Sequence, residues 1–192
     1  MREQVVRFGD DGRLVGIISR DGDTAAAGQI GVLLLNSGII HRIGPHRLNV
    51  KLARAFAGAG HPAIRFDLSG LGDSPSARGA VRFEEQAVAD ISAAIGILAD
   101  TAGCDRVYVV GICSGADHAY RAALSDRRIA GVVLLDGAPR PGFESYAAFR
   151  DAPPLDPLPP GEGASAADTL VVLYTSGSSS RPKAVPLQHF GV

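Results

Sequence analysis

Short apolar runs separated by helical stripes limit this chain more than any other feature. Ile30–Leu35 (IGVLLL), Ala63–Phe66 (AIRF), Val107–Val110 (VYVV) and Val132–Leu135 (VVLL) are rich in Val, Ile and Leu and lack period-2 alternation. A later run, Leu170–Tyr174 (LVVLY), has the same character. Runs of this kind read as strands buried on both faces of a parallel sheet. Between them, Leu48, Leu52, Phe56 and Ala59 recur at helical spacing and Gly60 ends the pattern. Val88, Ile91, Ile95 and Leu98 form a second stripe, closed near Gly103, and residues 114–126 form a third, Ala-rich one. This alternation predicts an α/β fold, a mostly parallel central sheet with helices on both faces. Gln4–Phe8 and Arg13–Ser19, split by Gly9-Asp10-Asp11-Gly12, predict an antiparallel hairpin at the sheet edge.

Composition narrows the classes of function. The 192 residues carry 19 Lys+Arg against 20 Asp+Glu, and no long basic run marks a nucleic-acid partner. The longest apolar runs fall far short of the roughly 20 residues that cross a membrane as a helix. The start, MREQVVRFGDDG, has no apolar leader, so a cytoplasmic protein is expected. Cys104 and Cys113 alone supply neither a disulfide framework nor a four-ligand zinc site, and no metal or cofactor is expected. Residues 1–136 read as the core. Residues 137–168, with Pro153, Pro154, Pro157, Pro159 and Pro160, read as a linker or a minimal lid. Residues 169–192 read as an extra strand with a Ser/Gly-rich tail.

The chemistry concentrates at Val107-Tyr108-Val109-Val110-Gly111-Ile112-Cys113-Ser114-Gly115-Ala116. Here a strand enters a helix through G-x-C-x-G. A nucleophile on so sharp a turn needs small residues two before and two after it, because larger ones collide with the neighbouring strand and helix. Both flanks of Cys113 are Gly. Were Ser114 the nucleophile, Ile112 would occupy a flank, and it is too large. The helix that starts after Cys113 presents backbone N–H groups and a positive dipole end that favour a thiolate.

With this elbow, the strand ending in Asn36-Ser37-Gly38 and the loop Asp67-Leu68-Ser69-Gly70-Leu71-Gly72-Asp73-Ser74, residues 1–136 resemble the α/β-hydrolase superfamily. LNSGIIHRIGPHRLNVKLARAFAGAGHPAIRFDLSGLGDS followed by GICSGAD is similar to hydrolases found with exosortase systems. Dienelactone hydrolases of this fold also carry a Cys nucleophile. The resemblance implies an α/β-hydrolase fold truncated at its C-terminal end. It implies an esterase or thioesterase in which Cys113 attacks the carbonyl. The oxyanion is then held by the N–H of Ser114 and an N–H near Ile39.

The proton carrier and the acid stay open. The fold's chain order puts the acid and then the His after the nucleophile. His189, in Gln188-His189-Phe190, has that order. His41, in the oxyanion loop, is the other candidate and is also placed against substrate. His118 is expected to point away from the pocket, and His46 and His61 to lie on the surface. Asp136 is either the acid or a plain strand-end residue. The expected partner is a small ester or thioester, with an acyl carrier or acyl ligase as a macromolecular alternative and a homodimer covering the exposed sheet edge.

Val172–Val185 (VLYTSGSSSRPKAV) resembles the phosphate-binding loop of adenylate-forming acyl ligases, with Ser180 where most members have Gly. Two readings follow for the tail: the start of a ligase-like segment, or the hydrolase's own next strand. The alternative for the whole chain is an inactive hydrolase-like binding domain beside an acyl-activating ligase.

Overall fold

The computed structural model describes residues 1–22 and 30–135, together with the strand placements at 169–176, 182–183 and 186–188. Strands β1 (Arg2–Phe8) and β2 (Leu14–Arg20) form the expected antiparallel hairpin, in register from Arg2–Arg20 to Phe8–Leu14. β1 is the edge strand, whereas β2 pairs onward, antiparallel, with β4 (Ala63–Phe66). From there the sheet is parallel through β3 (Ile30–Leu34), β5 (Arg106–Ile112), β6 (Ile129–Leu135) and β7 (Thr169–Ser176). Two short strands, β8 (Pro182–Lys183) and β9 (Pro186–Gln188), run antiparallel to β7.

Helix α1 (Leu48–Gly58) covers one face of this sheet. Helices α2 (Phe83–Ala102) and α3 (Ser114–Ala123) cover the other. The larger core lies under α2 and α3, where Ile91, Ala94, Ile95 and Leu98 pack on Leu33, Ile64, Val107 and Val109. Each fully buried aliphatic side chain contributes about 1.5–3 kcal/mol. The stripe on α1 is turned slightly from its expected position. Asn49, Val50, Ala53 and Ala57 face the sheet, while Leu52 and Phe56 are half-buried at the flank and Ala59 is exposed. Small Ala side chains let the helix lie close to Val32, Leu34 and Ala63, and the larger residues then close the sides. Asn49 ties the first turn of α1 to the end of β3, its Nδ2 donating to the Leu35 carbonyl at 3.1 Å. That tie positions the loop between β3 and α1, which borders the site. Among the described residues, no helix is long and apolar enough to cross a membrane.

Candidate active site

Between β5 and α3 the backbone turns on a single residue. Cys113 has φ +55° and ψ −121°, a region that non-glycine residues rarely adopt. Holding a residue there costs about 1–3 kcal/mol, so its surroundings must impose it. The Cys113 N–H donates to the Leu135 carbonyl at 2.8 Å, and the Cys113 carbonyl accepts from the Ala116 N–H at 3.0 Å. A Cβ at Gly111 would stand 2.2 Å from the Gly115 carbonyl oxygen, and one at Gly115 would stand 2.3 Å from the Asn36 carbonyl oxygen. The two glycines therefore let strand, helix and the end of β3 approach to backbone contact. The Cys113 side chain is pushed out to solvent at the C-terminal end of the parallel strands.

Cys104 differs in every respect. It is fully buried, its thiol donates to the Ala102 carbonyl at 3.8 Å, and burial together with the nearby Asp105 carboxylate pushes it up to about 11. Iodoacetamide at pH 7.5 is therefore expected to label Cys113 and leave Cys104 unmodified in the folded protein, which peptide mass mapping reads directly. Labelling of Cys104 at the same rate would contradict its burial.

The loop from Asn36 to Arg47 lies beside the elbow, and a single buried carboxylate holds its base. Asp67, at the end of β4, is 0% exposed. It accepts from Asn36 Nδ2 at 3.2 Å, the Arg42 N–H at 2.6 Å and the Asp73 N–H at 3.1 Å, and it forms an ion pair with the Arg42 guanidinium. The same guanidinium reaches Asp73 at 2.6 Å and holds that carboxyl below its ordinary range. Asn36 is itself buried and satisfied on both sides. Its Nδ2 also donates to the Ile40 carbonyl at 3.0 Å, and its Oδ1 accepts from the Leu68 N–H at 3.0 Å. The D-x-x-G-x-G-x-S stretch is thus the anchor for the loop from Asn36 to Arg47. Both segments stand out in the sequence, but that one carboxylate joins them does not. An Asp at a strand end before a Gly-rich turn was the visible signal.

The tip of the loop is a tight turn. The Ile40 N–H donates to the Ser37 carbonyl at 3.0 Å, and between them the Gly38 N–H donates to Ser114 Oγ at 2.9 Å. Ile39 is 89% exposed. The Gly38–Ile39 turn is thereby set against Ser114, the residue after Cys113. His41 is half-buried in the same loop, and its Nδ1 has no hydrogen-bond partner among the described residues. Asp136 and His189 lie outside the described residues. His46 and His61 are exposed, the latter with Nδ1 3.2 Å from the Ile30 carbonyl.

His118 is packed against α2. It is 6% exposed, and its ring stacks edge-on against Phe83 of α2, with centroids 5.4 Å apart and an interplanar angle of 71°. Burial lowers its pKa from the ordinary 6.5, against the opposing pull of Asp117 and Glu84. A buried imidazole that resists protonation is neutral in the fold and charges more readily once unfolded. Its penalty is absent above pH 6.5 and grows as pH falls from there through the lowered folded value. Thermal denaturation should show stability falling over this window, with a shallower fall in His118→Gln. An identical pH profile for the two proteins would exclude His118 as the cause.

Other features do not compete with the elbow. A cleft of about 310 Å³ between the hairpin turn and α2 is lined by Asp10, Arg13, Ser69, Arg78, Gln86 and Asp90, and it does not include Cys113. Asp90 there is already used, accepting from the Ser69 N–H at 2.7 Å and Gln86 Nε2 at 2.8 Å. Among the described residues, no group of three or more His, Cys, Asp or Glu is placed to hold a metal ion.

A parallel sheet flanked by helices, with a strained elbow at the C-terminal ends of its strands and a loop turned over that elbow, defines an α/β-hydrolase. Residues 32–152, more than half of the chain, match the family described as serine aminopeptidase, S33, and the chain belongs to that family. Solved structures share the fold. An esterase of Pyrococcus furiosus, Pf2001, is 19% identical with a TM-score of 0.59, over 71% of this chain and 52% of that one. The α/β hydrolase GrgF from Penicillium sp. sh18 is 18% identical with a TM-score of 0.58, over 71% and 46%. A cold-adapted esterase from an Arctic intertidal metagenomic library is 22% identical with a TM-score of 0.52, over 70% and 59%. The chain thus spans about half the length of the structures it matches. No curated protein matches it.

Proposed function

We propose that this chain hydrolyses ester or thioester bonds of small substrates through Cys113. The observation that carries this reading is the backbone of Cys113 at φ +55°, held between Gly111 and Gly115 with its thiol in solvent. A buried structural cysteine needs no such turn, and Cys104 has none. The family is one of serine enzymes, so a cysteine at the elbow tip makes the acyl-enzyme a thioester.

The steps follow from the groups present. The Cys113 thiolate adds to the substrate carbonyl, and the electron pair moves to the carbonyl oxygen. That oxyanion lies between the Ser114 N–H, one of the first amides of α3 and so without an intrahelical partner, and the N–H of Ile39. Collapse expels the alcohol or thiol, which takes a proton from the imidazolium formed when the imidazole accepted the Cys113 thiol proton. Water then gives a proton to the imidazole and attacks the acyl-thioester, which releases the acid and restores the thiol. We assign the imidazole to His189 and its orienting carboxylate to Asp136, on the chain order of the fold, with His41 as the alternative proton carrier.

Turnover of p-nitrophenyl acetate and butyrate tests the reading. The wild-type chain should hydrolyse both, and Cys113→Ala should lose at least about 10³-fold in kcat, as expected when a nucleophile is removed. Equal activity in Cys113→Ala would end the cysteine mechanism. Loss of activity in His189→Ala but not in His41→Ala would support the assignment of the base, and the reverse would transfer the role to His41.

A further inference from the structure

We propose that the side chain of Ser114 is a positioning residue, a hydroxyl clamp that fixes the oxyanion loop on the elbow and sets the spacing of the two oxyanion donors. The inference rests on the hydrolase reading above and adds to it a task for a side chain whose backbone N–H alone had been assigned a role.

The base of the loop is secured by Asp67 through Asn36 and Arg42. Its tip, Ser37 to Ile40, closes on itself through the Ile40 N–H to the Ser37 carbonyl. Gly38 has φ +55°, and an added Cβ there would meet nothing within 4 Å, so this position needs glycine for backbone hand and no packing neighbour steadies it. Ile39 stands out in solvent. Among the described residues, one hydrogen bond joins residues 37–39 to α3, from the Gly38 N–H to Ser114 Oγ at 2.9 Å across 76 positions of sequence.

In a turn whose first central amide is engaged by Ser114, the next amide, that of Ile39, keeps its proton free for substrate. The opposing donor is the N–H of Ser114 itself. One residue thus provides one donor through its backbone and locates the other through its side chain. Oxyanion stabilisation requires both donors within a few tenths of an ångström of their places before the charge develops. A loop tip without side-chain packing meets that demand only if it is tethered. A serine hydroxyl accepts the Gly38 N–H and still has its own proton to donate.

Two substitutions separate the clamp from ordinary packing. Ser114→Ala removes the acceptor, and Ser114→Thr keeps it. In Ser114→Ala the Gly38 amide should exchange its hydrogen on the order of tenfold faster than in the wild type, as expected for a locally released loop. The Asp73 amide, held by Asp67, should not change, and Ser114→Thr should restore protection at Gly38. With p-nitrophenyl butyrate, Ser114→Ala should lower kcat about 10–100-fold with KM within about twofold, because the lost placement is felt in the transition state. Unchanged Gly38 exchange in Ser114→Ala overturns the clamp, whatever the activity. Faster exchange with an unchanged kcat overturns the positioning role. Absence of ester turnover in the wild type would count against the hydrolase reading alone, and the Gly38 exchange rate would still decide the clamp.

Discussion

Gly111→Ala is expected to destabilise the chain by about 3 kcal/mol or more and to abolish any activity of the elbow. The added methyl would stand 2.2 Å from the Gly115 carbonyl oxygen and 2.4 Å from its carbon, both backbone atoms that no rotamer change can move. Relief would require separating the end of β5 from the first turn of α3. That separation would break the Cys113 N–H bond to Leu135 and release the strained Cys113 backbone. Gly96 provides the contrast within the same molecule. It lies inside α2, an added Cβ there meets nothing within 4 Å, and Ala is the better helix former. Gly96→Ala should therefore stabilise by about 0.5–1 kcal/mol. Urea denaturation of the two variants should shift in opposite directions from the wild type. A wild-type midpoint for Gly111→Ala would mean that the elbow is not built as described.

Asp67→Ala should cost about 3–5 kcal/mol, the range seen when one member of a buried ion pair is removed. The Arg42 guanidinium, only 15% exposed in its side chain, would keep Asp73 but lose its buried partner. The Asn36 amide and the backbone N–H groups of Arg42 and Asp73 would lose an acceptor in the same place. Asp67→Asn is no repair, because half of its amide would turn N–H groups toward N–H donors. Arg42→Ala combined with Asp67→Ala should cost less than the sum of the two single changes, since the orphaned charge is then absent. Chemical denaturation of the four proteins forms the cycle. Strict additivity, or an Asp67→Ala midpoint within about 0.5 kcal/mol of the wild type, would remove Asp67 from its place as the loop's anchor. Ester hydrolysis should fail in Asp67→Ala even below its melting temperature, because the base of the oxyanion loop is no longer held.

Much of this architecture was legible in the order of residues. Unbroken runs such as IGVLLL and VYVV have no polar face to offer solvent, so they could only become interior parallel strands, and they did. Gly at both flanks of Cys113 marked the elbow, because only glycine permits the backbone contacts that a strand-to-helix turn of this kind requires. Those properties are local: periodicity, side-chain volume and backbone freedom are carried by neighbouring residues.

The contacts that join distant segments were another matter, and the tertiary structure alone decided them. Nothing in the sequence indicated that α1 would turn its alanines, rather than Leu52 and Phe56, to the sheet; the close approach to Val32 and Ala63 determined that. The sequence likewise left Asp67 as an ordinary acid at a strand end, although it is buried under Arg42 and Asn36 from 25 and 31 residues away. Ser114 read only as the donor of a backbone N–H until the fold set Gly38 against its hydroxyl. A charge or a hydroxyl has the same chemistry wherever it stands in a sequence. Its task depends on which donors are brought within about 3 Å of it and on how far water is kept away.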